Sequence, residues 1–189
     1  MPCARCLEKL PPWHDFLFFG VYGGLLREML LRAKFGGSLA DLRVLGRLLA
    51  AVCAEHYAAA PLPDVVVPVP LDSVRLRRRG FNQCRELSRS LSASLKLPVC
   101  TDILVKTGQV LPQEALNREQ RLQMKQPFAV ARSVEGEHVL LVDDVCTTGT
   151  TLRRAAECLL KAGASGVDVV VLARASLHGR QEESGVALP

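Results

Sequence analysis

The clearest hydrophobic pattern in the chain is a short apolar run that ends in two acids. Residues 139–142 (VLLV) are followed by Asp143 and Asp144, then by a segment rich in Thr and Gly, and then by a helical pattern over residues 152–160. A short uninterrupted apolar run is typical of a strand that is covered on both faces. The pattern predicts a strand-loop-helix unit whose acids lie at the carboxyl end of the strand, where open α/β sheets bind ligands.

Helical and strand patterns alternate along the rest of the chain. Residues 21–35 place apolar side chains on one helical face, and Ser38 with Asp41 resembles a capping box that opens a second helix to about Ala59. Segments rich in β-branched residues predict further strands, at residues 64–70, 101–105, 127–130 and 167–173. We therefore predict an α/β fold with a mostly parallel central sheet flanked by helices.

The loop after the two acids has the groups that a phosphate site needs. Amides at a helix start, with Thr hydroxyls beside them, form an anion cradle, and Gly149 permits positive φ or close approach of a ligand. Ionised Asp143 and Asp144 accept hydrogen bonds from hydroxyls but repel phosphate. The unit therefore suits a ribose 5-phosphate. The residues match neither a nucleoside triphosphate P-loop nor a dinucleotide fingerprint. The alternative is that the two acids only cap the next helix.

Residues 139–151 resemble the phosphoribosyl pyrophosphate (PRPP) signature of type I phosphoribosyltransferases. With the further segments described below, the chain resembles the ComF family, competence-protein relatives of amidophosphoribosyltransferase. The resemblance implies that Asp143 and Asp144 hold the ribose hydroxyls. It assigns the 5-phosphate to the loop residues Val145, Cys146, Thr147, Thr148, Gly149, Thr150 and Thr151.

Residues 67–72 are similar to the loop that holds pyrophosphate in amidophosphoribosyltransferases. The resemblance assigns this role to Pro70, Leu71, Asp72 and Arg79. The arginine cluster at 75–79 could neutralise a diphosphate, because guanidinium groups match phosphate oxygens well; the alternative is a solvated basic loop. Residues 79–83 (RGFNQ) follow as they do in the ComF family, and Asn82 can cap a helix to about Leu95.

Residues 113–121 resemble the family segment that forms the mobile lid of the type I enzymes, with Gln113 and Arg121 at the matching positions. The alternative is the polar face of a short amphipathic helix. Met124 stands where the family usually has Asn, so a polar role at that position is in doubt. Residues 34–36 are similar to the ComF lead-in, and we expect Lys34 to be a solvated lysine at a helix end.

Cys3 and Cys6 have the spacing of half a zinc site. ComF-like chains often open with a zinc ribbon of two such pairs, whereas this sequence has a single C-x-x-C. A closed structural Zn²⁺ site needs four ligands. His14, Cys53 and His56 are residues that could supply the ligands missing beside Cys3 and Cys6. The alternative is two ordinary reduced cysteines in a frayed terminus.

Composition predicts a cytoplasmic protein. Seven cysteines, an odd number, and the lack of a basic-then-apolar leader favour reduced thiols. The apolar segment 16–31 contains glycines and charged residues, so no membrane span is expected. The net charge of +5 comes mostly from the arginine cluster, which favours a local anion site over a nucleic-acid surface.

Together these features predict three parts: a partial zinc-ribbon-like segment at 1–15, a helical lead-in at 16–60, and a phosphoribosyltransferase-like domain at 61–189. The resemblance implies that an unidentified acceptor displaces pyrophosphate from PRPP with the help of Mg²⁺. The alternative is a non-catalytic protein that senses PRPP or a nucleotide and acts in DNA uptake with a helicase-like partner. Direct nucleic-acid binding is disfavoured, because half of the zinc ribbon is absent.

Overall fold

The computed structural model describes residues 10–107 and 127–175. The elements along these ranges are β1 (Phe16–Val21), α1 (Gly24–Gly36), α2 (Leu39–Tyr57), β2 (Val65–Pro68), α3 (Ser73–Arg79), α4 (Gln83–Leu95), β3 (Leu104–Lys106), β4 (Phe128–Val130), β5 (His138–Cys146), α5 (Thr150–Lys161) and β6 (Gly166–Arg174). Four strands form a parallel sheet in the order β1-β6-β5-β2. Strands β3 and β4 form a separate antiparallel pair. The α/β fold with a parallel sheet is therefore confirmed.

Apolar layers on both faces explain why the central strands read as uninterrupted hydrophobic runs. On one face, side chains of β5 and β6 pack with Leu30 of α1, Leu45 of α2 and Leu87 of α4. On the other face, they pack with Leu159 of α5 and with the β3–β4 pair. Residues of β6 are buried from its first position to the penultimate one. Helices on both faces leave no solvated side, as parallel sheets require.

The strand β1 corrects the helical lead-in predicted for residues 16–60. Phe16 pairs with Val169 and Phe18 with Val171, so β1 forms an edge of the sheet beside β6. Its sequence, FLFFGV, is rich in the aromatic residues that favour strands. The helix begins only at Gly24, so the lead-in contributes a strand and two helices to the same sheet domain.

Two element boundaries also differ from the sequence prediction. Strand β5 runs through both acids to Cys146, because its partner β6 continues the pairing through Val171 and Ala173. A short helix, α3, replaces the basic loop expected after residue 72, because the Asp72 carboxylate caps it by accepting a hydrogen bond from Arg75 N at 2.8 Å.

Several predicted features lie outside the described ranges. They are Cys3 and Cys6, most of the zinc-ribbon-like segment, and the lid residues Gln113 and Arg121. Within the ranges that are described, none of the helices combines the length and hydrophobicity needed to cross a bilayer.

Helices α2 and α4 cross closely at Gly46. A Cβ added there would meet the Ser90 hydroxyl and would lie 2.9 Å from Ser90 Cβ. We expect Gly46→Ala to lower the free energy of unfolding by about 1–3 kcal/mol, as overpacked sites do, in urea denaturation. Gly36→Ala is the matched control, because a Cβ there meets nothing within 4 Å. Equal stability of the two variants would contradict the close crossing.

Candidate functional site

The sheet order brings two predicted ligand segments together. Strands β2 and β5 are neighbours, and Pro68, the last residue of β2, pairs with Val142, the residue before Asp143. Val69 N donates to Val142 O at 2.8 Å, and the Asn82 side chain donates to Val69 O at 3.1 Å. The carboxyl ends of parallel strands share one edge, so the segment predicted for pyrophosphate starts beside the acids predicted for ribose.

Asp143 is held in a largely buried position by two donors. One carboxylate oxygen, Oδ1, accepts from the Cys84 thiol at 3.3 Å and from the Asp144 amide at 2.9 Å. Burial raises the pKa of Asp143 to about 6, and the neighbouring charge of Asp144 adds to the shift. Burial and the charge of Asp143 also raise the pKa of the Cys84 thiol, so this thiol stays protonated and donates.

Asp144 forms an ion pair with Lys34 from the end of α1. Lys34 Nζ lies 2.9 Å from Asp144 Oδ2, and the two side chains are 18% and 15% exposed. The expectation that Lys34 is solvated is therefore wrong. The lysine balances one of two adjacent carboxylates that would otherwise repel each other in a partly buried place. A ribose hydroxyl that reaches Asp144 must share the carboxylate with this ammonium group.

The loop between β5 and α5 has the geometry of an anion cradle. Gly149 has φ +71°, the left-handed conformation that glycine adopts without strain. The first helical hydrogen bond runs from Arg153 N to Gly149 O at 2.8 Å, so earlier amides of α5 lack intrahelical acceptors. The Thr148 hydroxyl partly covers one of them, since its Oγ1 lies 3.4 Å from Thr150 N.

The alternative role for the two acids, capping α5, is wrong. The residue at the cap position is Gly149, and no side chain caps the helix. The carboxylates of Asp143 and Asp144 instead contact Cys84 and Lys34. Capping therefore does not explain why two adjacent acids stand at this place in the sequence.

The predicted pyrophosphate residues are near the acids, but their side chains already have partners. Asp72 pairs with Arg75, whose backbone hydrogen bond is the main cause of a lowered Asp72 pKa. Arg79 donates to Gln83 Oε1 at 3.2 Å and lies over the Phe35 ring at 5.8 Å. A diphosphate at residues 70–72 would therefore use backbone amides, of which Pro70 supplies none, with the Arg79 guanidinium nearby.

A cavity of about 520 Å³ lies between the loop after β2 and the helix α4. Its lining includes Pro70, Leu71, Asn82, Arg85 and Arg89. Asp143 and Asp144 do not line it, so the cavity adjoins the candidate site without containing the acids. Arg89 forms an ion pair with Glu86, which also lines the cavity, so the lining suits a small polar group.

Lys106 and Cys84 were not identified from the sequence as site residues. Burial lowers the pKa of Lys106, and Asp72 and Asp143 are close enough to oppose that shift by their charge. Its ammonium nitrogen lies 4.4 Å from the centroid of the Phe128 ring. A lysine directly after a predicted strand was the available signal for Lys106. The sequence held no comparable signal for Cys84.

Comparison with known proteins gives consistent matches. A family model described as phosphoribosyl transferase domain matches residues 47–187. DNA utilization protein YhgH of Escherichia coli (strain K12) is 35% identical over 177 residues, which cover 92% of this chain and 78% of that protein. Competence protein F of Haemophilus influenzae is 36% identical over 179 residues, with the same coverages of 92% and 78%.

Among solved structures, the glutamine PRPP amidotransferase from B. subtilis, complexed with ADP and GMP, aligns with a TM-score of 0.47. The alignment is 25% identical and covers 69% of this chain. This chain spans only 25% of that enzyme's length.

Proposed function

We propose that this chain, which belongs to the phosphoribosyl transferase domain family, binds PRPP and transfers its phosphoribosyl group to an acceptor. The observation that supports the proposal best is the arrangement at one sheet edge. Asp143 and Asp144 end the apolar part of β5, the Gly149 loop and the start of α5 follow, and the loop after β2 lies alongside. The two carboxylates can accept hydrogen bonds from a diol, and the two loops beside them suit one ligand that carries a ribose, a 5-phosphate and a diphosphate.

In the proposed reaction, the acceptor's lone pair forms a bond to the anomeric carbon while the bond to pyrophosphate oxygen breaks. Pyrophosphate leaves with the bonding electrons, and charge spreads over an oxocarbenium-like transition state. The chain's own contribution is positioning and charge stabilisation. Asp143 and Asp144 orient the ribose, the loop 145–151 holds the 5-phosphate, and residues 70–72 with Arg79 receive the pyrophosphate.

Mg²⁺ is part of the proposal. The carboxylates of Asp72, Asp143 and Asp144 are the kind of oxygen donor that Mg²⁺ takes. Each already has a protein partner, so they fit an ion that keeps most of its waters and contacts them through water. When bound with PRPP, the ion would neutralise the diphosphate charge.

The second candidate is an accessory role in DNA use, without catalysis. The observation that favours it is the naming of the relatives, a DNA utilization protein and a competence protein. In this role the same site senses PRPP or a nucleotide, and a helicase-like partner acts on the DNA. Direct nucleic-acid binding by this chain is not proposed, because three basic residues near the site have local partners: Arg75 contacts Asp72, Lys34 contacts Asp144 and Arg79 contacts Gln83.

We place this activity in the cytoplasm. Within the described ranges, the cysteines at 53, 84, 100 and 158 form no disulfide bond. Cytoplasmic glutathione and thioredoxin keep such thiols reduced.

Calorimetric titration of the full chain with PRPP and Mg²⁺ tests the binding proposal, and we expect saturable binding to one site. Assays of pyrophosphate release, screened with ammonia, amines and nucleobases, then separate the enzyme from the sensor. Release that depends on one acceptor supports transfer, whereas binding without any release supports the accessory role. Absence of PRPP binding would contradict the transferase, and absence of nucleotide binding as well would contradict the sensor.

A further inference from the structure

A second polar cluster lies at the opposite end of the sheet from the candidate site. It contains His14, just before β1, His138, the first residue of β5, and Asp168, near the start of β6. One donor atom from each of the three lies within 4.8 Å of the other two. The strands β1, β6 and β5 are neighbours and parallel, so the fold itself brings these donors to one point.

Asp168 is an unusual residue for this position because it is almost fully buried. Its side chain is 2% exposed in a strand whose neighbours are Val. The Tyr57 hydroxyl donates to Oδ2 at 2.8 Å, and the Asp15 amide donates to Oδ1 at 3.2 Å. These donors fix the direction of the carboxylate, as outer partners do for metal ligands.

The contact between His138 and Asp168 has the length of a hydrogen bond but not the geometry of one. His138 Nε2 lies 3.1 Å from Asp168 Oδ2. Among the described residues, this buried nitrogen nevertheless has no hydrogen-bond partner of acceptable geometry. Two ligands at 2.0–2.1 Å from a tetrahedral Zn²⁺ are about 3.3 Å apart, close to the observed separation.

Gly166 leaves space for the imidazole of His14. A Cβ at Gly166 would lie 2.7 Å from His14 Cε1 and 2.9 Å from His14 Nδ1. The His14 amide also donates to Val167 O at 2.9 Å, which holds the backbone of residue 14 against β6. The backbone of His14 is therefore fixed beside the cluster, and Gly166 leaves room there for the imidazole.

We propose that His14, His138 and Asp168 form a binding site for a divalent transition-metal ion of the zinc type. Two imidazoles and one carboxylate are a donor set that suits Zn²⁺ or Co²⁺ and not Mg²⁺ or Ca²⁺. Three protein ligands leave a position for water. The ion joins the starts of β1, β5 and β6, so its role is to stabilise the sheet. It is independent of the proposed PRPP chemistry and of any metal at Cys3 and Cys6.

The test uses the full chain carrying Cys3→Ser and Cys6→Ser, so that bound metal reports on this cluster alone. We expect one equivalent of Zn²⁺ by equilibrium dialysis and mass spectrometry, and visible absorption of bound Co²⁺ at the intensity of a four-coordinate site. His138→Gln and His14→Gln should each weaken Zn²⁺ binding by at least about 10-fold. Zn²⁺ should raise the Tm of the parent, and that rise should be lost in both variants.

His56→Gln is the matched control. His56 Nε2 lies 3.2 Å from Asp15 Oδ2, next to the cluster but outside it, so Zn²⁺ affinity should be unchanged. His14→Gln keeps the test decisive if His138→Gln folds poorly, because His14 is exposed. Failure of the Cys3→Ser, Cys6→Ser chain to bind Zn²⁺, or equal loss of affinity in His56→Gln and His14→Gln, would overturn the proposal. Displacement of Zn²⁺ by millimolar Mg²⁺ would overturn it as well.

Discussion

Changing Asp144 to Asn is expected to weaken PRPP binding by about 10- to 100-fold, because a hydrogen bond to a charged group contributes about 1.5–3 kcal/mol. The carboxylate is the acceptor proposed for a ribose hydroxyl, and Asn offers a neutral oxygen in its place. The substitution also leaves Lys34, which is 2.9 Å away, without its ion pair. Changing Asp143 and Asp144 together should reduce binding by more than about 100-fold. Calorimetry with PRPP and Mg²⁺ measures both effects.

Asp41→Asn is the matched control for this prediction. Asp41 also forms an ion pair, with Arg32 at 2.8 Å, and stands on α2 away from the candidate site. The substitution removes one carboxylate and one ion pair, as Asp144→Asn does, so PRPP affinity should stay at the parent value. Equal affinities for Asp144→Asn and Asp41→Asn would show that the acids of β5 do not hold the ribose.

Local sequence patterns were enough to predict the strand, loop and helix that carry the candidate site. The apolar run before Asp143 predicts a buried strand, and the loop with Gly149 predicts the start of the helix that follows. These features depend on residues that are close in the chain, so periodicity and turn chemistry identify them. The same logic failed at residues 16–21, where an apolar segment with a glycine suits either a strand or the start of a helix.

The contacts that Asp143 and Asp144 make with other side chains could not be predicted, because they join distant parts of the chain. Lys34 and Asp144 meet only after α1 packs against the sheet. Cys84 reaches Asp143 because α4 starts beside the loop after β2, where Asn82 is tied to Val69. Each of these residues has an ordinary local explanation, at a helix end or in a core. Tertiary packing gives them their second role.

The carboxylates at the two ends of the sheet are stabilised by different partners. At the carboxyl ends, Asp144 pairs with a lysine, and Asp143 accepts hydrogen bonds from a thiol and an amide. At the amino ends, Asp168 has a hydroxyl, an amide and an imidazole around it. Burial beside the charge of Asp144 raises the pKa of Asp143 and so disfavours its charged form in the folded chain, as is expected where a ligand supplies further donors.

The raised pKa of Asp143 leads to a prediction on stability, namely that Asp143→Asn folds more stably than the parent at neutral pH. Burial raises the folded-state pKa of Asp143 to about 6, whereas an unfolded Asp titrates near about 4. The folded state therefore holds the proton more tightly. The stability from this group is fully present below about pH 4 and is lost as the pH rises through about 6.

Asn has no charge to lose, and its side-chain oxygen can still accept from Cys84 and from the Asp144 amide. We expect its free energy of unfolding to exceed that of the parent by about 1–3 kcal/mol at pH 7.5, and the difference to shrink towards zero near pH 4. Urea denaturation at several pH values between 4 and 8 measures this. A difference that does not change with pH, or a destabilised variant at pH 7.5, would contradict the account. Stability gained together with PRPP affinity lost would identify Asp143 as a residue that reduces stability in exchange for ligand binding.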